Sequence, residues 1–313
     1  MQLMPDTQPH ITILMPVYNG APFLADQIQS FVDQTHAAWT LFAGDDGSTD
    51  KSLDVLQSWA GKLPNMRVYQ GPKRGQMANI VTLLEHAAPE LDQGGWLAFA
   101  DQDDLWLPHR LSRGVDHLRG QEGPALYCAR TLVADQNLTN PRPSKTHSRP
   151  PSFQNALVQN IASGNTILLN ASATQLIRQA AHHTETVFAP DWWIYQMITG
   201  AGGTVIFDPE PALIYRQHGR NQFGENRSAA AGGKRIRQIL NGQFKAWITG
   251  NITALLRCDH VMTDANRAAL HEFARLRDRK FVSRIRALRQ LGIHRQSRAG
   301  TVAIFVAAML GRL

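Results

Sequence analysis

The sequence predicts an α/β fold: a mostly parallel, Rossmann-like sheet with helices on both faces, followed by a basic helical C-terminal region. Over the first hundred residues, short apolar runs alternate with amphipathic segments of helical length. Strands that alternate with helices connect as crossovers, which makes their sheet parallel and covers both of its faces. Polar and acidic residues collect where the apolar runs end, at the edge where such sheets bind ligands.

The first elements follow from side-chain type and spacing. Residues Ile11 to Val17 are mainly β-branched or apolar and predict a buried strand. After the turn at Asn19-Gly20, Pro22 suits the first turn of a helix. The segment from Trp39 to Ala43 predicts the second strand.

Capping residues mark the second helix, because Ser48, Thr49 or Asp50 can cap its start and Gly61 can close its end. The remaining predicted elements are a strand from Met66 to Tyr69, a helix from Gln76 to Ala87, a strand from Trp96 to Ala100, a strand from Thr166 to Leu169, a helix from there through Arg178, and a strand from Thr204 to Phe207.

Composition excludes several classes of protein. With 313 residues, 43% of them hydrophobic and 18% charged, the chain can bury one large core or two modest ones. The two cysteines, Cys128 and Cys258, lack partners for a disulfide scaffold or a zinc fold. No apolar run reaches the roughly 18 residues that span a bilayer, so we expect a soluble protein of a reducing compartment.

Charge divides the chain unevenly. From Gly232 to the end there are 16 Lys and Arg against 4 Asp and Glu, a net charge of +12, whereas the rest carries −5. No strand signal follows Gly233, and arginine-rich helical periodicity continues to Arg298. We therefore predict a catalytic α/β domain over residues 1–229 and a basic, amphipathic helical region over residues 230–313.

The acidic run Asp101-Gln102-Asp103-Asp104 directly follows the predicted strand that ends at Ala100. It could be a solvated turn that caps the next helix. Its apolar neighbours favour partial burial instead, where unpaired carboxylates are costly and a divalent cation is the expected partner. Mg²⁺ or Mn²⁺ held by one or two carboxylates, water and substrate phosphate fits this pattern.

A second acidic run, Asp45 to Asp50, follows the second strand. One carboxylate there can cap a helix, but capping does not explain the preceding pair, Asp45 and Asp46. A carboxylate at the end of a strand can accept hydrogen bonds from a base edge or a ribose hydroxyl.

Five motifs together resemble family 2 glycosyltransferases, in the order and at the separations of that family, and most closely its bacterial rhamnosyltransferase-like branch. The resemblance covers about residues 10 to 225. The motifs are Met15 to Gly20, Asp45 to Asp50, Asp101 to Trp106, Pro190 to Trp193 and Tyr215 to His218.

This resemblance implies a GT-A fold that binds a nucleotide-diphosphate sugar and a divalent metal ion. It implies a DXD motif at Asp101 and Asp103, with Asp103 the more direct metal ligand and Asp104 behind them. Residues expected to contact the nucleotide or donor are Pro16, Tyr18, Asn19, Asp46, Arg74, Asp101, Arg216 and His218, and those expected to hold the metal are Asp103, Asp101 and His218.

Asp191 matches the family's catalytic base. A carboxylate is the expected group to take the proton of an attacking acceptor hydroxyl. Its neighbours Trp192 and Trp193 would form apolar walls that raise its pKa, and they offer flat faces to an acceptor sugar. Alternatively, Asp191 is a helix cap followed by two core aromatics.

Other assignments also have plainer alternatives. His218 lies in a polar loop, where it could simply be solvated, and Arg74 could be a surface turn residue. Two departures from the family pattern affect the comparison. Pro190 stands where many relatives have Glu or His before the base, and residues 74–79 differ from the common glycine-and-arginine pattern.

The C-terminal region interleaves arginines with apolar residues between Phe273 and Arg289, as in an amphipathic helix with a cationic face. It could be a solvated face packed on the catalytic domain. Anionic membranes attract such segments, and the apolar stretch from Ala299 to Leu310 suits the interface. We therefore expect peripheral attachment to the cytoplasmic face of the cell membrane.

Together these features predict an inverting, metal-dependent glycosyltransferase of cell-surface polysaccharide synthesis. The expected partners are a donor of UDP or dTDP type, possibly carrying rhamnose, a glycan or lipid-linked glycan acceptor, and an anionic membrane surface, with no nucleic acid. Two alternatives stay open. A nucleotidyltransferase would need a phosphate-gripping glycine-rich loop, which the segment from Asn19 to Pro22 resembles poorly. A basic nucleic-acid-binding protein would bind through residues 234–298 with strong salt dependence.

Overall fold

The structure is a computed structural model that describes residues 8–184, 187–219 and 241–313. The predicted boundary at residue 229 lies outside the described residues. The first half of the chain alternates strands and helices as expected. Its elements are β1 Ile11–Val17, α1 Ala21–Val32, β2 Trp39–Asp45, α2 Ser52–Ala60, β3 Met66–Gln70, α3 Gln76–His86, α4 Ala88–Asp92, β4 Trp96–Phe99, β5 Leu105–Trp106 and α5 Arg110–Leu118.

The second half continues the same sheet and ends in four helices. Its elements are β6 Ala125–Asp135, β7 Arg142–Pro143, α6 Phe153–Ala156, a 3-10 turn Gly164–Thr166, β8 Leu168–Leu169, α7 Ala171–Ala181, α8 Pro190–Gly200, β9 Thr204–Gln217, α9 Gln243–Arg257, a 3-10 turn Asp259–Val261, α10 Asp264–Leu276, α11 Phe281–Gln290 and α12 Arg298–Met309.

The sheet is parallel in its first half and mixed in its second. Strands β3, β2, β1 and β4 lie side by side and parallel, as the alternation of strands and helices predicts. β8 pairs antiparallel with both β4 and β6, whereas β6 and β9 run parallel over most of their length. The predicted strand from Thr166 to Leu169 keeps only Leu168 and Leu169, because Thr166 belongs to the preceding 3-10 turn.

Helices cover both faces of the sheet, as the sequence predicts. One apolar cluster lies under α1, α2 and α5, with Ile28, Leu56 and Leu111 buried against the sheet. A second cluster lies under α3, α7 and α8 on the opposite face. The two clusters account for the amphipathic spacing of these helices.

The C-terminal helices bury side chains in the second cluster. Ile248 of α9, Phe273 of α10, Leu288 of α11 and Ile304 of α12 are all buried there, with strand residues such as Leu14 in the same cluster. The sequence left two interpretations open for this region, and the structure shows the one in which it packs on the catalytic domain. Within the part of the chain that the structure describes, no helix is both long and apolar enough to cross a membrane.

Candidate active site

A large cleft runs along the carboxyl ends of the parallel strands, with a cavity volume of about 2120 Å³. This is where sheets of this kind bind ligands. Asp103 and Asp191, 88 positions apart in the chain, both line it, so the two predicted acidic centres face one space. Most of the predicted site residues meet there, namely Pro16, Tyr18, Asn19, Asp46, Asp101, Asp103, Asp191, Trp192 and His218.

Side-chain hydrogen bonds fix the loop after β1 at the cleft. Gln102 accepts from the Tyr18 backbone N–H at 2.8 Å and donates to the Tyr18 carbonyl at 3.0 Å. Asn19 has a left-handed φ of 51°, and its Oδ1 accepts from the Thr49 N–H at 2.8 Å. A Cβ on Gly20 would lie 2.6 Å from the Gln102 amide, so a larger residue there would displace the Gln102 side chain. The Tyr18 ring is left 58% exposed beside the cleft, where it can stack on a planar base.

The carboxylates of the second acidic run have different partners. Asp45 is buried, and its Oδ1 accepts from the N–H groups of Gly47 and Ser48. Asp46 accepts from the N–H groups of Lys73 and Gly75, each at 2.7 Å, and so orders the loop between β3 and α3. Asp46 lines the cleft, and its oxygens keep lone pairs for a base or ribose.

The N-cap of helix α2 is Lys51, whose side chain makes no capping hydrogen bond, so none of Ser48, Thr49 and Asp50 is the cap. Asp50 Oδ1 accepts from the Ser52 N–H at 2.9 Å, while its Oδ2 accepts from the Ala21 N–H at 3.2 Å. One carboxylate thus joins the starts of α1 and α2. The predicted cap at Ser48, Thr49 or Asp50 is therefore wrong, and Asp50 instead accepts from the N–H of the first residue of each helix.

Asp104 lies fully buried beneath the DXD loop and anchors it. It accepts from Asn165 Nδ2 at 2.5 Å and from the Arg216 backbone N–H at 3.3 Å. Burial raises its pKa well above the ordinary value, and the charges of Asp101 and Asp103 add to the rise. Asp104 therefore supports the loop from behind, as expected from the sequence.

Asp101 and Asp103 present the loop's remaining carboxylates to the cleft. Burial, followed by the charges of Asp103 and Asp191, raises the pKa of Asp101 to about 7. His218 Nε2 lies 2.8 Å from Asp103 Oδ2, and the His218 ring stacks on Phe23 with centroids 4.5 Å apart. Anionic charge is therefore concentrated at this point of the cleft.

This donor set fits a hard divalent cation. Hard oxygens converge there, and the mutual repulsion that raises the pKa of Asp101 would be relieved by a positive ion. Among the described residues, no group of three or more His, Cys, Asp or Glu side chains is arranged to hold a metal by itself. Mg²⁺ sites commonly use one or two carboxylates and complete their shell with water and substrate phosphate.

Asp191 lies in the first turn of α8. Its Oδ1 accepts from the Trp192 N–H at 2.7 Å and its Oδ2 from the Gly164 N–H at 3.2 Å. Burial raises its pKa, against the lowering effect of hydrogen bonds from Trp192, Gly164 and the Asn160 side chain. The sequence attributes such a rise to walls formed by Trp192 and Trp193, and in the structure its cause is the burial of the carboxylate.

The two tryptophans after Asp191 have different surroundings. Trp192 lines the cleft, although most of its ring is packed and its Nε1 donates to the Ala156 carbonyl. Trp193 is 1% exposed and lies in the core, so its assignment as an acceptor contact is wrong. Successive helical residues point about 100° apart, and α8 is buried over nearly all of its surface.

Arg216 positions the DXD loop and does not line the cleft. Its guanidinium is buried and donates to the carbonyls of Asp103 and Gln136 and, at 2.8 Å, to Asp26. Arg216 therefore links β9 to the DXD loop by hydrogen bonds instead of making the direct contact with the donor that the sequence predicts. Arg74 is exposed and is not among the described residues that line the cleft.

Sequence reasoning missed the residues that join these parts. Gln102 was seen only as a member of an acidic run, and no signal marked Gly164 or Asn165. These two neighbours contact Asp191 and Asp104 respectively, so the 3-10 turn Gly164–Thr166 connects the candidate base to the DXD loop.

The wall of the cleft beyond Asp191 is aromatic and includes the C-terminal region. The rings of Phe188 and Trp247 stack with centroids 4.1 Å apart, and Phe188 is 39% exposed. Phe244 of α9 and Arg295, which precedes α12, also line this wall. Residues of the basic region therefore complete the cleft.

Comparison with known proteins identifies similar sequences and structures. Residues 12–184 match the family described as Glycosyl transferase family 2. The dTDP-rhamnosyl transferase RfbG of Shigella flexneri is 23% identical over 252 residues, which are 77% of this chain and 84% of RfbG.

Two solved structures have the same fold. TarS residues 1–349 from S. aureus, in complex with UDP-GlcNAc, align with a TM-score of 0.52 and 15% identity over 90% of both chains. The mannosyltransferase PcManGT from Pyrobaculum calidifontis, in complex with GDP-Man and Mn²⁺, aligns with a TM-score of 0.53 and 18% identity over 98% of this chain and 88% of its own. The expected GT-A fold is thus confirmed.

Proposed function

The chain belongs to glycosyl transferase family 2 and is a glycosyltransferase, and from this premise we propose that it transfers a sugar with inversion from a UDP- or dTDP-linked donor to a glycan hydroxyl. The observation that carries the proposal is that Asp103 and Asp191 line the same cleft. Family membership decides against the nucleotidyltransferase that the sequence left open. RfbG makes dTDP-rhamnose the first donor to test.

The donor half of the cleft lies at the ends of β1, β2 and β4. Tyr18 offers an exposed ring to the base, and Asp46 offers carboxylate oxygens to base or ribose. Asp101 and Asp103 would hold Mg²⁺ or Mn²⁺, which supplies charge neutralisation for the diphosphate leaving group. His218, ordered by its stack on Phe23, would contribute to the same cluster.

Asp191 would act as the general base. As the acceptor oxygen bonds to the anomeric carbon and the bond to the diphosphate breaks, the Asp191 carboxylate takes the hydroxyl proton. Two backbone N–H groups, of Trp192 and Gly164, hold this carboxylate in place. Because burial raises its pKa, Asp191 is a stronger base than an exposed carboxylate, provided that it is ionised when the acceptor binds.

The acceptor would bind along the aromatic wall beyond Asp191. In an inverting reaction the acceptor attacks from the face opposite the leaving group, so it must lie on the other side of the anomeric carbon from the diphosphate, with its hydroxyl beside Asp191. Phe188 and Trp247 line that wall and offer ring surface to a pyranose. We further propose that the acceptor is lipid-linked and that the enzyme works on it as a peripheral protein at an anionic membrane surface.

Donor binding tests the nucleotide and metal parts of the proposal. UDP or dTDP should raise the thermal midpoint of the full chain, and the rise should depend on Mn²⁺ or Mg²⁺. Asp103→Asn should abolish the metal dependence. Asp116→Asn, whose carboxylate is 71% exposed on α5, is the matched control and should change nothing. If neither nucleotide shifts the midpoint with either metal, the proposed donor class is wrong.

Transfer assays test the base. With a panel of nucleotide sugars that includes dTDP-rhamnose, Asp191→Asn should keep nucleotide-dependent stabilisation and lose sugar transfer by about 100-fold or more. The product of the wild-type enzyme should have the anomeric configuration opposite to that of the donor. Transfer by Asp191→Asn at the wild-type rate would refute the role of Asp191, and retention of configuration would refute inversion.

A further inference from the structure

Helix α12 has an apolar outer face. Its inner face buries Ile304, Ala307 and Ala308, as expected of a surface helix. The side facing away from the protein should then be polar. Instead, four apolar side chains at positions i, i+4, i+7 and i+8 form a stripe there, with exposures of 62% for Val302, 39% for Val306, 41% for Met309 and 55% for Leu310.

The start of α11 extends this surface. Arg284 donates to the Ala308 carbonyl at 2.5 Å, which places the first turn of α11 beside the last turn of α12. Phe281 and Val282 in that first turn are 52% and 74% exposed. We call the combined surface the apolar face; it consists of Phe281, Val282, Val302, Val306, Met309 and Leu310.

Basic residues predominate in the segment that carries the apolar face, although Asp278 directly precedes it and Glu272 pairs with Arg279. From Arg279 to Leu313 the chain has eight Lys and Arg and no Asp or Glu. Arg286 and Arg289 of α11 are exposed, and Arg289 borders a groove against Val302. Other arginines of the region have partners within the protein: Arg277 donates to the Leu313 carbonyl, and Arg279 forms an ion pair with Glu272.

We propose that the apolar face docks on a phospholipid bilayer that contains anionic lipids. The six apolar side chains would enter the boundary between headgroups and acyl chains, while Arg286 and Arg289 reach anionic headgroups. The inference rests on the proposed membrane location of the acceptor and identifies the surface responsible. The sequence predicts attachment through the arginine-rich face together with the apolar stretch from Ala299 to Leu310, and the proposal narrows the apolar contact to six exposed side chains.

Charge argues for a bilayer over a second copy of the chain. Two copies joined through this face would bring together the eight Lys and Arg of residues 279–313, which outnumber the neighbouring carboxylates of Asp278 and Glu272. A bilayer with anionic headgroups provides both the apolar phase and the opposite charge. The apolar face also exposes six apolar side chains, which a surface that binds only phosphate groups would not need.

Docking there would bring the connector between α11 and α12 toward the membrane. The connector between α11 and α12 contributes Arg295 to the cleft wall. The same connector is fixed to the catalytic domain, because Asn155 donates to the His294 carbonyl at 3.1 Å and Gln296 donates to the Arg149 carbonyl at 3.1 Å. A lipid-linked acceptor could therefore reach the cleft along the side that carries the aromatic wall.

Co-sedimentation of the full chain with vesicles tests the proposal. The wild type should bind vesicles that contain phosphatidylglycerol in phosphatidylcholine more strongly than phosphatidylcholine alone, and added salt should weaken binding. The triple variant Val302→Ser, Val306→Ser, Leu310→Ser should reduce the partition coefficient about tenfold or more. The double variant Arg286→Glu, Arg289→Glu should do so too, and only on the anionic vesicles.

Matched controls separate docking from folding. Val32→Ser removes an apolar side chain that is 41% exposed on α1, and the pair Lys62→Glu, Arg142→Glu reverses two exposed charges elsewhere. Both controls should bind vesicles as the wild type does. All variants should keep metal-dependent stabilisation by nucleotide, so a loss of vesicle binding is distinct from a failure of the proposed transferase function.

Three results would overturn the proposal. The wild type could fail to bind anionic vesicles, or the triple variant could bind them as the wild type does. The chain could also be a dimer in solution that the triple variant converts to a monomer, which would make the apolar face an interface between copies.

Discussion

Gln102 is an uncharged residue inside an acidic loop, and its amide forms two hydrogen bonds to the backbone of Tyr18. It therefore joins the loop that carries the DXD carboxylates to the loop that presents the Tyr18 ring. The proposed donor and metal sites would keep a fixed separation because of this link. Small errors in such positioning are costly to catalysis.

Gln102→Ala should raise the KM for the donor about tenfold while leaving stability within about 1 kcal/mol. The Tyr18 backbone groups would lose their partners, but they lie at the surface, where water replaces the hydrogen bonds. Gln93→Ala is the control, since Gln93 is exposed and donates to the Pro89 carbonyl away from the cleft. Steady-state kinetics and thermal unfolding of both variants provide the measurement. An unchanged donor KM in Gln102→Ala would contradict the positioning role.

Asp208 forms a second polar centre and is not among the described residues that line the cleft. Arg113 donates to it through Nε at 2.5 Å, Tyr127 through its hydroxyl at 2.9 Å and Glu210 through its N–H at 3.0 Å. Burial by itself would raise the pKa of Asp208, but these hydrogen bonds and the charge of Arg113 hold the pKa below 3.8. A carboxyl group whose pKa is lowered by folding stabilises the fold above its unfolded pKa and loses that effect as the pH falls.

Asp208→Asn should lower the free energy of unfolding at pH 7 by about 2 kcal/mol, because Arg113 and Tyr127 lose a charged acceptor. The deficit relative to the wild type should shrink as the pH falls below 3.8, where Asp208 becomes protonated in the wild type as well. Urea unfolding across this range measures it, with Asp116→Asn as the exposed control. A deficit that stays constant with pH would show that the charge of Asp208 is not what stabilises the fold.

Among the elements, the 3-10 turn Gly164–Thr166 has the most direct effect on the base. A Cβ on Gly164 would lie 3.2 Å from the Asp191 Cβ, closer than such atoms normally approach. Gly164→Ala should push Asp191 away by a few tenths of an ångström and lower kcat about tenfold, with donor stabilisation unchanged. Gly123→Ala, where no atom lies within 4 Å of the new Cβ, should behave as the wild type. Equal kcat values in both variants would show that the 3-10 turn does not position the base.

The elements that end in the site could be predicted from the sequence, but many of their connections could not. Polar residues directly after an apolar strand, such as Asp46 and Asp101, must lie at the carboxyl edge of a parallel sheet. Asn165 lies 61 positions from its partner Asp104, and no local pattern reports such a contact. Arg216 illustrates the opposite difficulty, since an arginine in a polar motif suggests phosphate binding and folding instead uses it to hold backbone carbonyls.

For the whole molecule, the C-terminal helices belong to the same apolar core as the catalytic domain. Phe273 of α10 is fully buried in the cluster that also holds Leu14 of β1. Removing the region would expose this core, so a chain truncated near residue 233 would report on stability as well as on membrane binding. Single substitutions are the cleaner probe of how the two regions depend on each other.

Phe273→Ala should lower the free energy of unfolding by about 3–5 kcal/mol, because it leaves a cavity in the shared core. If the regions form one cooperative unit, the loss should appear as one earlier transition, with tryptophan fluorescence and far-UV circular dichroism changing together. Phe281→Ala removes the same side chain where it is 52% exposed, and it should leave the midpoint nearly unchanged. Two separate transitions in Phe273→Ala, with only one of them shifted, would show that the C-terminal helices unfold independently. The part of the cleft wall that these helices supply could then detach from the catalytic domain.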